Sequence, residues 1–197
     1  DFSGKDAGMR TYVRARVEGG TYFFTVNLAK RHGTTLLVDR IDALKEAFRR
    51  TRQDHPFAMP AFVVLPEHLH CIWRLPPGDG DFPVRWRLIK SRFSRSLPRE
   101  ERRTQSRASK SERGIWQRRY WEQLVRNEAH FQRCMDYIHY NPIKHGHVTH
   151  PLDWPYSSFR HWVERGIYPM HWAMPSKAGL LPSERSAGLM KPTQPTT

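Results

Sequence analysis

The stretch between residues 61 and 75 constrains this chain more than any other. Ala61 to Leu65 (AFVVL) is a continuous apolar run, and a second run follows Pro66, from Leu69 to the closing Pro76-Pro77-Gly78. Short apolar, β-branched and aromatic runs bounded by proline and glycine read as strands. The pattern therefore predicts two buried strands joined by a turn. Side chains alternate faces along a strand, so Leu69, Cys71, Trp73 and Leu75 share one apolar face. His68, His70, Ile72 and Arg74 take the other. Two imidazoles then stand side by side, with Cα atoms roughly 7 Å apart. Glu67 is adjacent but, on an unbroken strand, faces away from both.

The remaining elements follow from the same rules. Tyr22 to Leu28 (YFFTVNL) predicts a first strand. Asp39 is placed to cap a helix to about Gln53, with Ile41, Leu44, Ala47 and Phe48 at helical spacing. Asp81 or Pro83 opens a second helix to about Leu97, with Trp86, Ile89, Phe93 and Leu97 on one stripe. Ile115 to Val125 alternates loosely and predicts another strand. Asn127 caps a third helix through about Tyr140, which Pro142 and Gly146 end. A short amphipathic segment spans Ser157 to Glu164. Residues 98–114 lack apolar content and read as an exposed flexible loop, and the tail from about 174 reads as disordered. The order of elements predicts one α+β domain over residues 1–173, with one sheet largely covered by helices.

Charge narrows the partners. The 197 residues carry 33 Lys and Arg against 19 Asp and Glu, a net +14. Between residues 85 and 119 there are 13 basic and 3 acidic residues, so +10 of that total is concentrated there. A polyanion would relieve such self-repulsion. No apolar run nears 18 residues and no signal-like segment is visible, which argues against membrane insertion and secretion. The two cysteines, Cys71 and Cys134, match no zinc spacing or disulfide framework, consistent with a cytoplasmic protein.

Within the basic tract Trp86, Phe93 and Trp116 are interspersed. Base stacking is open to them, but a core role is the better reading of Trp86 and Phe93. Arg92, Arg95, Arg118 and Arg119 are candidates for phosphate contact, and Arg14 and Arg16 for a basic arm reaching DNA bases.

The chemistry concentrates in two places. Two imidazoles on one strand face can hold a divalent ion if a third ligand comes from elsewhere. There is no HExxH pattern, and a pair of hydrogen-bonded histidines on a half-exposed strand explains the spacing equally well. In residues 127–141 (NEAHFQRCMDYIHYN), Phe131, Met135 and Ile138 form a helical buried stripe. Tyr137 lies about 120° from Phe131 and Asn141 about 80°, in the same direction. Being i and i+4, they share a face beside the core, which His130 extends. A phenol so placed can attack a phosphodiester near a metal, with the carboxamide oxygen of Asn141 completing the ligand set. Tyr137 could equally be an ordinary boundary aromatic.

Taken together, these segments resemble a known family. GGTYFFTVNL (19–28), FVVLPEHLHCIWRLP (62–76), WRLIKSRF (86–93), IWQRRYWEQLVRN (115–127), DYIHYNPIKHG (136–146) and WPYSSF (154–159) occur in the order found in REP-associated tyrosine transposases. These belong to the one-tyrosine HUH endonucleases, and the likeness spans roughly residues 12–173. The resemblance implies a ferredoxin-like antiparallel sheet with helices packed on one side and a metal held by His68, His70 and Asn141, either Mg²⁺ or Mn²⁺. It implies Tyr137 as nucleophile in transesterification of single-stranded, hairpin-forming DNA through a 5′-phosphotyrosine link. Related insertion-sequence enzymes carry glutamine where Asn141 stands, so that ligand departs from their pattern. Lys144 and His145 would lie near the scissile phosphate. A nucleoid location and a monomer, with a dimer as the alternative, are the further expectations. Two rivals stay open: a non-catalytic nucleic-acid-binding module and a metal nuclease using water.

Overall fold

The computed structural model describes residues 16–99, 105, 109 and 113–173. The tail beyond 173, most of the 98–114 loop and Arg14 lie outside the described residues. Four strands, β1 (Thr21–Asn27), β2 (Ala58–Val64), β3 (His68–Arg74) and β4 (Trp121–Leu124), form one antiparallel sheet in the order β2-β3-β1-β4. Each central strand pairs with the other along its full length, from Thr21 opposite Arg74 to Asn27 opposite His68. That is the ferredoxin-like order expected from sequence.

Two connections cross over the sheet. Between β1 and β2 run α1 (Leu36–Asp39) and α2 (Ile41–Asp54), and between β3 and β4 runs α3 (Phe82–Arg95). They bury Leu44, Ala47, Trp86, Ile89 and Phe93 against Phe24, Leu69, Cys71 and Trp73. Trp73 packs against Phe57 and Trp86 with ring centroids 4.2 and 4.3 Å away, so the aromatics of α3 are core, as expected for Trp86 and Phe93.

The expectation of helices on one side holds only for these crossovers. After β4, α4 (Glu128–Lys144) lies on the other face against β2 and β3, and α5 (Phe159–Glu164) contributes Phe159 to the same layer. Cys134, Met135 and Ile138 of α4 pack on Phe23, Ala61, Val63 and Ile72. Both faces of β3 are thereby buried, and the polar face that looked half-exposed is a second core with a polar end.

Three boundaries differ from those predicted. Asp39 ends α1 and accepts a hydrogen bond from Thr35 Oγ1 (2.6 Å), while Arg40 stands at the N-cap of α2 without a side-chain cap. Pro142 sits inside α4 rather than ending it, because a missing N–H costs only one bond near a helix end that packs on the sheet. Gly146, at φ +70°, takes the left-handed conformation that stops the helix. The expected strand from 115 to 125 is interrupted: Trp116 bridges Leu28, residues 118–120 depart, and pairing resumes at Trp121.

The far edge of β2 is covered. Ser158 N–H donates to Phe62 O (3.0 Å), Phe62 N–H donates to Ser158 Oγ (3.0 Å), and Val64 N–H donates to Tyr156 O (2.8 Å). His139 Nε2 meets the same Ser158 hydroxyl at 2.9 Å, tying α4 to that edge. Among the described residues no helix is long and apolar enough to cross a membrane.

Candidate active site

The sheet register builds half of the site. Thr25 on β1 stands opposite His70 on β3, and Thr25 Oγ1 is hydrogen-bonded to His70 Nδ1 at 2.8 Å. His68 Nδ1 is held by Glu67 Oε1 at 2.9 Å. Both imidazoles therefore have Nδ1 engaged, which leaves both Nε2 atoms for another partner. Fixing one ring nitrogen through a carboxylate or hydroxyl is how ligating histidines are oriented. The rings stand 4.9 Å apart, nearly perpendicular, and both residues are buried. Glu67 does not face away as the strand pattern suggested. The turn after Pro66 breaks the alternation and brings its carboxylate back to His68.

The other half comes from α4. Asn127 Oδ1 accepts from His130 N–H (2.8 Å) and starts the helix at the predicted residue. The Tyr137 ring packs edge-on against His70 at 5.3 Å and Phe23 at 5.9 Å. Asn141, fully buried, donates from Nδ2 to Tyr137 O (3.1 Å), and its Oδ1 has no hydrogen-bond partner among the described residues. A buried carboxamide oxygen without a partner is costly unless something occupies it. Lys144 places Nζ 4.9 Å from the centroid of the Tyr137 ring, and His145 lies 5.1 Å from His68.

Electrostatics favour a neutral ring at His70. Burial holds His70 well below the usual histidine range, helped by the repulsion that a charged ring would meet from its neighbours His68, His145 and Lys144 and opposed by a hydrogen bond with Asn141. An uncharged imidazole is the form that binds metal. Burial raises the Glu67 carboxyl, but the His68 hydrogen bond and charge outweigh it and leave the group below its ordinary value.

No cluster of three His, Cys, Asp or Glu among the described residues forms a metal site. The donor set that does fit a divalent ion is two imidazole nitrogens and the Asn141 carboxamide oxygen, a mixed N/O set.

The structure brings Tyr137, His68, His70, Asn141, Lys144 and His145 together. It does not bring His130, which is buried near the N-cap of α4 with Nδ1 facing Arg126 N–H (3.4 Å). Arg16 is exposed at the opposite end of the sheet, beside Gly80, about 20 Å from His68 along the strand. The Arg92 guanidinium is engaged by Asp54 Oδ2 (2.5 Å) and Thr51 Oγ1 (2.8 Å), joining α3 to α2. The basic tract made Arg92 a candidate for phosphate contact but gave no hint of those partners. Arg95 and Arg118 are exposed and line a basic cavity of about 630 Å³ walled by Trp86, Trp116 and Tyr120, and Arg119 is exposed next to Arg118. Sequence reasoning missed Thr25, which only the cross-strand register could reveal.

No protein-family model matches the chain. The chain is 44% identical over 165 residues to the REP-associated tyrosine transposase of Escherichia coli (strain K12), spanning 84% of this chain and 92% of that protein. It is 41% identical over 165 residues to a putative REP-associated tyrosine transposase of Haemophilus influenzae, spanning 83% and 93%. A solved structure of a REP-associated tyrosine transposase bound to a REP hairpin superposes with a TM-score of 0.71 at 41% identity, covering 88% of this chain and 98% of that one. Fold, length and sequence agree across nearly the whole of these relatives, and the chain belongs to the REP-associated tyrosine transposase family.

Proposed function

We propose that this chain cuts and rejoins single-stranded DNA beside hairpin-forming repeats, using Tyr137 as the nucleophile and a divalent ion held by His68, His70 and Asn141. The observation that carries the reading is the meeting of one phenol, two imidazoles each held through Nδ1 and one buried carboxamide within a single chain. Hairpin DNA as substrate is supported by the relative solved on a REP hairpin. A catalytic unit within residues 1–173 acting as a monomer accords with all these groups coming from one chain.

Bound Mg²⁺ or Mn²⁺ would neutralise the non-bridging phosphate oxygens and polarise the phosphorus. Tyr137 Oη attacks that phosphorus and loses its proton as the P–O bond forms. The opposite P–O3′ bond breaks, and the departing oxygen takes up a proton. The 5′ side stays on the tyrosine, and the free 3′-hydroxyl can attack back to reseal the strand. Lys144 adds positive charge beside the phenol, where the negative charge of the attacked phosphate gathers. His68 and His70, fixed through Glu67 and Thr25, need no reorganisation as the reaction proceeds. The exposed Arg95, Arg118 and Arg119 are placed to contact the DNA backbone on the β4 side.

The test is a denaturing gel of the protein incubated with a hairpin-bearing single strand. A DNA-linked protein band forms with Mg²⁺ or Mn²⁺ and is absent in chelator. Binding that survives chelation with no linked band under any condition would instead support a non-catalytic DNA-binding module.

Glu67→Gln provides a sharper check on the metal site. The amide keeps the side chain's size but weakens its hold on His68 Nδ1, so Mn²⁺ affinity should fall about 10- to 100-fold. Titration of the metal-dependent cleavage rate measures it. An unchanged affinity would remove Glu67 from the site.

A further inference from the structure

Where α4 ends, the chain projects two more rings. His145 N–H donates to Asn141 O (3.0 Å), Gly146 N–H to Ile143 O (2.9 Å) and His147 N–H to Pro142 O (2.9 Å), a tight cap that depends on Gly146 in the left-handed region. This cap fixes where the His145 and His147 backbones leave the helix. The two imidazoles stack at 6.2 Å with planes 24° apart, and His147 stacks on Trp154 at 4.9 Å with planes 25° apart. Tyr156 meets Trp154 edge-on at 5.5 Å. At the near end His145 touches His68 at 5.1 Å. A row of rings thus leads from a metal ligand to the covered edge of β2.

The row is anchored but not consumed by the core. Trp154 donates from Nε1 to Val64 O (2.9 Å), which fixes the far end. His145 and His147 are exposed, and neither imidazole makes a hydrogen bond among the described residues. Near-parallel, exposed, flat rings beside a nucleophile suit the faces of unpaired bases, which stack on any aromatic surface without regard to sequence. Lys144, one residue before the row, adds positive charge for the backbone of the same strand.

We propose that His145, His147 and Trp154 form a stacking platform for the unpaired nucleotides that flank the scissile phosphate. The platform rests on the reading of Tyr137 and the histidine pair as the cleavage centre. It steers the single strand out of that centre toward the β2 edge, away from the basic cavity at the β4 side.

His147 is the cleanest probe, because it is exposed and is neither a metal ligand nor the nucleophile. Binding is measured by fluorescence anisotropy, in chelator, with a hairpin oligonucleotide carrying an oligothymidylate flank and with the same hairpin carrying an abasic flank. His147→Ala should weaken binding to the oligothymidylate probe by about tenfold, and His147→Phe should restore it. On the abasic probe the unmodified protein and His147→Ala should bind alike. A loss that persists on the abasic probe, or a Phe variant as weak as Ala, overturns the platform. The linked-band assay is scored separately. A band formed while His147→Ala binds unchanged sinks the platform alone. A base-dependent loss with no band upholds the platform and sinks the covalent reading, and failure of the unmodified protein to bind either probe overturns both.

Discussion

Tyr137→Phe should yield a protein that folds and binds hairpin DNA yet forms no covalent adduct, with cleavage reduced by at least about 10³-fold. The substitution removes one oxygen and keeps the ring, so the edge-on contacts with Phe23 and His70 and the cation over its face persist. Tyr137 is only partly buried, and its loss of a hydroxyl should change stability by no more than about 0.5 kcal/mol. The measurements are single-turnover cleavage of a labelled hairpin strand and a thermal melt run in parallel. A nuclease that activates water would tolerate the change, because its metal and histidines remain. Cleavage within about tenfold of the unmodified protein would assign the reaction to water.

The second large effect concerns the scaffold. Arg85 is 1% exposed, and its guanidinium is fully engaged. It donates to both Asp79 oxygens (3.0 and 2.6 Å) and to the carbonyls of His55 (3.3 Å), Pro56 (2.8 Å) and Asp81 (3.1 Å). These bonds fasten the first turn of α3 to the end of α2 and to the turn after β3. The Arg85 hydrogen bonds hold the Asp79 carboxyl below the usual carboxylate range, outweighing the opposing effect of burial. Arg85→Leu leaves three carbonyls without their donor and frees the partly exposed Asp79 carboxylate to water, and since each buried acceptor left unmade costs about 1–3 kcal/mol the total should reach about 3 kcal/mol. Against a total of about 5–15 kcal/mol for a domain, this is a large fraction. Urea denaturation should show a midpoint lower by about 1–3 M with an unchanged slope. Arg85→Lys should recover little, since a single ammonium cannot reproduce the fork. A midpoint shift below about 0.3 M would mean that the network contributes no net stability.

Much of this arrangement was legible in the order of residues. The alternation from Leu69 to Leu75 sorted β3 into its two faces correctly, and the helical spacing of Met135 and Ile138 found the buried stripe of α4. Asn127, with its side chain accepting from His130 N–H, marked the start of α4 to the residue. What escaped was set by tertiary contact. A strand face reading His, His, Ile, Arg looks half-wet, and nothing local says that a later helix will cover it. Pro142 carries a strong local stop signal, but packing of α4 against β2 and β3 overrides it. Arg92 belongs to a basic tract in sequence and to an ion pair with Asp54 in space, a pairing 38 residues apart that local composition cannot foresee. Thr25 is an unremarkable strand threonine until the register sets it against His70.

That register has a consequence for how the catalytic apparatus can be lost. Because successive side chains on a strand point to opposite sides, sliding β3 by a single step against β1 would turn both imidazoles toward Trp86 and Ile89 and swing Leu69 and Cys71 beneath the tyrosine. The pairing of His70 with Thr25 would be lost, and the proposed metal site with it. The same alternation that builds the apolar core therefore also aims the two imidazoles, so the proposed site and the packing of β3 stand or fall together.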